Sequence, residues 1–160
     1  MPPMRKATRR KDAEWALRVF DRAPYVTVSM TRPDGTPYAL PLSLVRRDAE
    51  TFYFHCAGEG EKLDCLRHSP VVSLSAVSRC TPKFERDKLN FTEYYDSAVA
   101  LGRAEEVTDD AEKREALRLL CQRFLPKEMA HFDAAIARSL HRTTVIRITL
   151  TEPPCGKSKP

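Results

Sequence analysis

The sequence is poor in glycine and lacks the glycine-rich fingerprints of nucleotide-binding enzymes. Glycine accounts for only 5 of the 160 residues, and neither a P-loop nor a Rossmann G-x-G-x-x-G pattern occurs. A Gly-x-Ser-x-Gly nucleophile elbow is also missing, which argues against a serine hydrolase. No C2H2, RNP-type or basic-zipper pattern indicates a nucleic-acid-binding domain. The familiar motifs of these protein classes therefore give no assignment.

The cysteines fit neither a disulfide framework nor a zinc site. Their number is odd and no two have C-x-x-C spacing, which favours reduced thiols. Cys65 and His68 stand three residues apart, but a zinc site needs about four ligands and no second pair accompanies them. We therefore expect no metal site. The cysteines are Cys56, Cys65, Cys80, Cys121 and Cys155.

Long apolar segments are absent as well. No apolar run approaches the roughly 18 residues that span a membrane. The basic residues at the N-terminus are followed by no apolar stretch, so we expect no signal peptide. A content of 42% hydrophobic and 31% charged residues is typical of a soluble globular domain. These features predict a cytoplasmic protein that is not bound to a membrane.

Positive charge is concentrated at the N-terminus. The net charge is +5, and much of it lies within the first eleven residues. Such a segment can contact nucleic acid or remain solvated. Because no nucleic-acid motif accompanies it, a basic flexible arm over residues 1–11 is the favoured interpretation, and nucleic acid is not an expected partner.

The apolar pattern predicts one mainly β domain over residues 12–151. One predicted strand contains Pro41, which favours a sheet edge, a bulge or close approach to a ligand. Residues 78–92 are predicted to form a long surface loop, and residues 152–160 a flexible tail. Because closure removes unpaired sheet edges, the predicted fold is a six-stranded, mostly antiparallel β-barrel with flanking helices. The strands are expected at 25–30, 38–45, 51–56, 71–77, 94–107 and 143–151, and the helices between 15 and 24, at 62–68, between 108 and 126, and at 127–139.

The segment Tyr53–Leu66 gives the strongest functional signal. It starts as an apolar strand and ends as a short helix, with Gly58 and Gly60 between them. This arrangement directs backbone N–H groups and the helix dipole towards one place. Lys62 adds a positive charge in the first helical turn, where cations are normally disfavoured. The pattern therefore indicates a bound anion such as a phosphate.

Several segments together resemble a known family. The match covers roughly residues 5–151 and is similar to the pyridoxamine 5'-phosphate oxidase-like split barrels, most closely their nitroimidazole-resistance (Nim) branch. The pattern "FHxAxxGxK" after the third strand is its most specific part. The resemblance rests on Pro37–Leu42, on Phe52–Ala57 with Gly60, Lys62, Leu66 and Ser69-Pro70, and on Tyr95, Ser97, Val99, Gly102, Ala104 and Val107 in the long fifth strand.

The resemblance implies a split barrel that forms a homodimer with FMN in clefts between the protomers. It also implies redox chemistry on small oxidised substrates such as nitro compounds. Lys62 matches the residue that reaches the FMN phosphate, and His55 matches the histidine near the cofactor. Leu42 and Ser43 match the strand that borders the isoalloxazine ring. Arg67 is a further candidate contact for the phosphate, and we regard His55 as the candidate catalytic residue, since its pKa near neutrality suits proton donation.

Two functions remain open from the sequence. The first is an FMN-dependent oxidoreductase, and the second is a non-enzymatic module that binds or senses a flavin or heme on the same fold. Fold alone does not separate them. Pyridoxamine oxidation itself is disfavoured, because the oxidases have Ser-Arg-Lys where this chain has Gly60-Glu61-Lys62, and the missing arginine would be a bidentate phosphate ligand.

Overall fold

The described part of this computed structural model, residues 4–160, contains nine strands and four α-helices. None of these helices is both long and apolar enough to cross a membrane. Short 3-10 turns cover Ala7–Arg9, Arg86–Lys88, Pro126–His131 and Leu140–Arg142. The strands are β1 (Arg10–Lys11), β2 (Val26–Thr31), β3 (Pro37–Leu42), β4 (Val45–Arg46), β5 (Thr51–Cys56), β6 (Val71–Glu85), β7 (Asn90–Glu106), β8 (Thr144–Leu150) and β9 (Cys155–Lys159); the helices are α1 (Ala13–Arg22), α2 (Glu61–His68), α3 (Asp110–Phe124) and α4 (Phe132–Ser139).

All strand pairs in residues 4–160 are antiparallel, in the order β3-β2-β6-β7-β8-β5-β4. The two outer strands of this order, β3 and β4, follow each other in the chain and are joined by Ser43 and Leu44. The sheet therefore curls until its edges meet through a chain connection, without a ladder of hydrogen bonds between them. This confirms the predicted mainly β fold, a split β-barrel with flanking helices.

The barrel interior is filled by residues that alternate along the strands. In β2, Val26, Val28 and Met30 are buried, while the residues between them are partly exposed. Asp12 begins α1 by accepting a hydrogen bond from the backbone N–H of Trp15 (2.8 Å). The helix buries one apolar face against the barrel, as its apolar spacing predicts.

Strand β5 is covered on both faces. Phe52 and Phe54 lie in the barrel core, and the ring of Phe52 packs edge-on against Phe20 of α1 (5.5 Å between centroids). Tyr53 faces a second apolar cluster beneath α3 and donates a hydrogen bond to Glu112 of that helix (2.7 Å). Burial, followed by the carboxylate of Glu112, raises the pKa of Tyr53 to about 12. This polar contact fixes α3 over the outer face of β5.

The predicted surface loop at residues 78–92 is wrong. This segment is the distal half of a long hairpin in which β6 and β7 stay paired as far as Glu85 and Asn90. The hairpin projects beyond the barrel, so both of its faces meet water and no apolar alternation marks the strands. Leu89 closes the turn with a left-handed φ of 46°. Of the three alternatives that Pro41 left open, the structure shows the edge strand, since β3 pairs only with β2 among the described residues.

The chain termini are more ordered than the sequence suggests. The predicted flexible tail contains β9, which pairs with both β7 and β1, and β1 in turn includes Arg10 and Lys11 of the predicted flexible arm. Residues 1–3 of that arm lie outside the described residues. These short strands, with β4, raise the strand count from six to nine. The periodicity of Cys155–Lys159 is hard to recognise because its inward residues are Gly156 and Ser158 rather than large apolar ones.

A substitution at Gly156 tests the packing between the termini. A Cβ atom there would lie 2.4 Å from the Trp15 ring, so Gly156→Ala must displace a large side chain. We expect a loss of about 1–3 kcal/mol in the free energy of unfolding, measured by urea denaturation. Gly58→Ala is the matched control, because its Cβ would meet only Thr144 at 3.7 Å. Equal stability of the two variants would contradict this packing.

Candidate functional site

Strand β5 carries two residues beyond its fully buried part. Because side chains alternate along a strand, His55 follows on the face of Tyr53, and Cys56 follows on the face of Phe54. His55 is exposed, whereas Cys56 is half-buried and packs against the barrel core. The end of β5 therefore presents an imidazole to solvent and a thiol to the mouth of the barrel.

A short loop then leads into α2, whose N-cap residue is the glycine Gly60. Gly60 has a φ of 122°, a conformation that strains any residue with a side chain. Its carbonyl accepts hydrogen bonds from the backbone N–H groups of Leu63 (2.9 Å) and Asp64 (3.3 Å). Leu63, Cys65 and Leu66 are buried and hold the helix near β2. The first turn of α2 is thereby held in one orientation.

Lys62 lies in this first turn with its ammonium group over an aromatic ring. Its Nζ atom is 5.4 Å from the centre of the Phe54 ring, a distance suited to a cation–π contact. The residue is half-buried. Within residues 4–160, no carboxylate lies within ion-pair distance of its ammonium group. Lys62 therefore offers a positive charge that the described part of the protein does not neutralise.

Other charges on α2 are already paired. The guanidinium of Arg32, from the β2–β3 turn, donates to the Glu61 carboxylate (2.5 Å) and to the Pro37 carbonyl (3.0 Å). Arg67, in the last turn, donates to Glu106 of β7 (2.7 Å). Because Glu61 is paired with Arg32, its carboxylate repels an incoming anion less. The pairing of Arg67 leaves its guanidinium engaged elsewhere, at the opposite end of the helix from the first turn.

The charge of Lys62 acts on both groups at the end of β5. Partial desolvation of the His55 imidazole by neighbouring protein atoms, followed by the positive charge of Lys62, lowers the pKa of that histidine below its ordinary value. Burial raises the pKa of the Cys56 thiol, an effect that Lys62 and Arg67 oppose and Glu106 reinforces. At neutral pH the site therefore contains a largely neutral imidazole, a protonated thiol and an ammonium group.

Leu42 and Ser43 lie where the barrel is split. Leu42 ends β3 and packs against the core, and Ser43 is exposed in the connection to β4. The register of the β4–β5 pair sets Val45 opposite Tyr53. Ser43 itself lies outside this pairing, and no hydrogen bond joins its side chain to that of His55 in residues 4–160.

The structure thus brings His55 and Lys62 together, leaves Ser43 in the β3–β4 connection, and pairs Arg67 with Glu106 in the last turn of α2. Sequence reasoning missed three contributors: Phe54 beneath the ammonium group, Cys56 at the barrel mouth and Arg32 beside Glu61. Strand alternation could have identified the first two. No local signal could have identified Arg32, because its contact with Glu61 joins residues 29 positions apart.

Comparisons with known proteins place the fold in a recognised group. A crystal structure of a candidate 5-nitroimidazole antibiotic resistance protein from Bacteroides thetaiotaomicron is 21% identical, with a TM-score of 0.78 over 92% of this chain and 84% of that one. The flavocytochrome Anf3 from Azotobacter vinelandii is 23% identical, with a TM-score of 0.83 over 99% of this chain and 72% of that one. An FAD and heme binding protein from Mycobacterium smegmatis is 23% identical, with a TM-score of 0.80 over 94% of this chain and 73% of that one.

At such identities these likenesses concern the fold alone. No curated protein matches the sequence. The family profile described as pyridoxamine 5'-phosphate oxidase, in contrast, matches residues 12–154, nearly the whole domain. The antiparallel split barrel with its flanking helices agrees with that match. This chain therefore belongs to the pyridoxamine 5'-phosphate oxidase family.

Proposed function

We propose that this protein binds FMN and acts as a flavin-dependent reductase of small oxidised substrates such as nitro compounds. The observation that carries the proposal is the ammonium group of Lys62, which lacks an ion-pair partner among the described residues and lies in the first turn of α2 beside His55. The family membership and the fold shared with flavin-binding proteins support the choice of cofactor.

The first turn of α2 suits the phosphate of FMN. Free backbone N–H groups and the helix dipole favour an anion there, and Lys62 contributes a full charge. Because Arg32 pairs with Glu61, this carboxylate repels the phosphate less than its sequence position suggests. Arg67 lies in the last turn of α2, five residues after Lys62, and pairs with Glu106, so it contributes to the phosphate site through its field rather than by contact.

His55, Leu42 and Ser43 suit the isoalloxazine side of the cofactor. Flavin carries electrons between a donor and an oxidised substrate, while the protein supplies position and polarity. Partial desolvation and then the charge of Lys62 lower the pKa of His55, so its imidazole is largely neutral when no anion is bound. A phosphate at Lys62 would offset this charge and raise the pKa, which prepares His55 to give a proton to a reduced substrate.

A second candidate function is a flavin- or heme-binding module without turnover. The similarity in fold to a flavocytochrome and to an FAD and heme binding protein favours it. Anaerobic mixing of the FMN-loaded protein with NADPH and a nitro compound separates the two functions. Multiple turnovers support the reductase, whereas a stable complex with no turnover across donors and acceptors supports the binding module.

We further propose a homodimer through one uncharged face of the sheet. Residues that lie directly opposite one another on β3, β2, β6 and β7 form a surface without a charged side chain, although 31% of the sequence is charged. Val77 (49% exposed) and Val99 (39% exposed) are its exposed large apolar members, and Leu101 is half-buried. Loss of charge is typical of the centre of a protein interface. This uncharged face comprises Ala39, Pro41, Thr27, Ser29, Ser73, Ser75, Val77, Ser97, Val99 and Leu101.

The phosphate contact predicts how a change at Lys62 affects different flavins. Lys62→Met should weaken FMN binding roughly ten- to hundredfold, the effect of losing one hydrogen bond to a charged group. Riboflavin, which lacks the phosphate, should bind both proteins equally. Flavin fluorescence quenching measures both affinities, and Lys83→Met in the distal hairpin is the charge-matched control. An equal loss for FMN and riboflavin would place the phosphate elsewhere.

The field of Lys62 predicts the titration of His55. The pKa of His55 should lie below that of an ordinary histidine, and Lys62→Met should raise it, because a nearby cation disfavours the imidazolium form. NMR titration of the imidazole carbon-bound protons follows both proteins. Lys83→Met should leave the pKa unchanged, and saturating FMN should raise it in the unmodified protein. An equal His55 pKa in the unmodified protein and in Lys62→Met would contradict the proposed coupling.

The uncharged face predicts the oligomeric state. Ser75→Arg places a charge at its centre and should convert a dimer into monomers, as measured by sedimentation velocity. Thr149→Arg puts the same side chain at an exposed position of β8, outside this face, and should leave the dimer intact. A protein that sediments as a monomer without substitution would contradict the proposed dimer.

A further inference from the structure

A cavity lies beside the paired chain termini, away from Lys62 and His55. Its volume is about 640 Å³, and it lies between β1, the start of α1, the middle of β7 and the segment that enters β9. This volume lies within the roughly 300–1,000 Å³ typical of small-molecule sites. Much of its wall is apolar and includes Met4, Ala98, Val99, Pro153 and Pro154. None of Leu42, Ser43, His55, Lys62 and Arg67 lines it.

Three basic residues, Arg10, Lys11 and Lys157, line the same cavity. Arg10 and Lys157 lie directly opposite each other in the β1–β9 pair. Like charges in such a position destabilise the pair, and no carboxylate within residues 4–160 forms an ion pair with either of them. An anion between the two side chains would remove this repulsion.

Two carboxylates, Asp12 and Glu152, also line the cavity. Asp12 is already engaged as the N-cap of α1. The cations near β9 also affect Tyr95 on β7: burial raises its pKa, but hydrogen bonds and charge from Lys157 and Arg9 outweigh this effect and hold the pKa below its ordinary value.

We infer that this cavity binds a small organic anion with an apolar body, such as an aromatic carboxylate, whose charged group lies between Arg10 and Lys157. The apolar wall takes the body of the ligand, and the two opposed cations select its charge. None of the residues assigned to the flavin site lines this cavity, but Ser97 and Val99 belong both to the cavity and to the uncharged face, so the cavity borders the proposed dimer interface.

A matched pair of probes tests the selection of charge. 2-Naphthoate and 2-naphthylmethanol have similar size and shape and differ in charge, and isothermal titration calorimetry measures both. We expect the unmodified protein to bind 2-naphthoate about tenfold or more tightly than the alcohol. Lys157→Met and Arg10→Met should each abolish most of this preference while the alcohol still binds. Lys127→Met, at an exposed position of the Pro126–His131 turn, should retain it.

Two further measurements protect the test from misfolding and from the flavin site. Lys157→Met should melt at the same temperature as the unmodified protein or higher, because it removes a like-charge contact. Lys62→Met should bind 2-naphthoate normally, so failure of the flavin proposal leaves this one intact. The inference would be overturned if 2-naphthoate did not bind, or if the preference for it survived both Lys157→Met and Arg10→Met. Binding of 2-naphthoate to monomers alone would also overturn it, because a second copy of the chain would then fill the cavity in the dimer.

Discussion

The burial of β5 on both of its faces is the constraint on which the candidate site depends. Phe52 and Phe54 hold one face in the barrel, and Tyr53, fixed by Glu112, holds the other beneath α3. A strand anchored in this way can emerge in only one direction, because a shift by one residue would exchange its two faces. The residue at which the two-sided burial of β5 ends therefore sets the positions of His55, the glycine loop and the first turn of α2.

The fold was largely predictable because most of the barrel follows simple periodicity. Apolar residues alternate in β2, β6 and the second half of β7, and every neighbouring strand is antiparallel. The pattern fails in two places for a physical reason. The distal hairpin has water on both faces, and β9 packs through Gly156 and Ser158, where Trp15 requires a glycine. Neither situation places large apolar residues at every second position.

The site was predictable only where its contacts are local. Gly60 and Lys62 follow β5 within a few residues, so the sequence shows the strand, loop and helix together. The sequence could not show which charged side chains are paired. Arg32 reaches Glu61 from a turn 29 residues away, and Arg67 pairs with Glu106 of β7 across 39 residues. These long-range pairs decide which cation remains available to a ligand, and they leave Lys62.

Hydrogen–deuterium exchange with and without FMN tests the central claim, that the end of β5 and the start of α2 hold the cofactor phosphate, most directly. The account predicts slower exchange on FMN binding in the amides that follow His55, through Gly60 and the first turn of α2, with a smaller effect around Ser43. Exchange should not change in the segment that enters β9, which lines the cavity beside the chain termini. Protection confined to β9 and the middle of β7, or none near α2, would contradict the account.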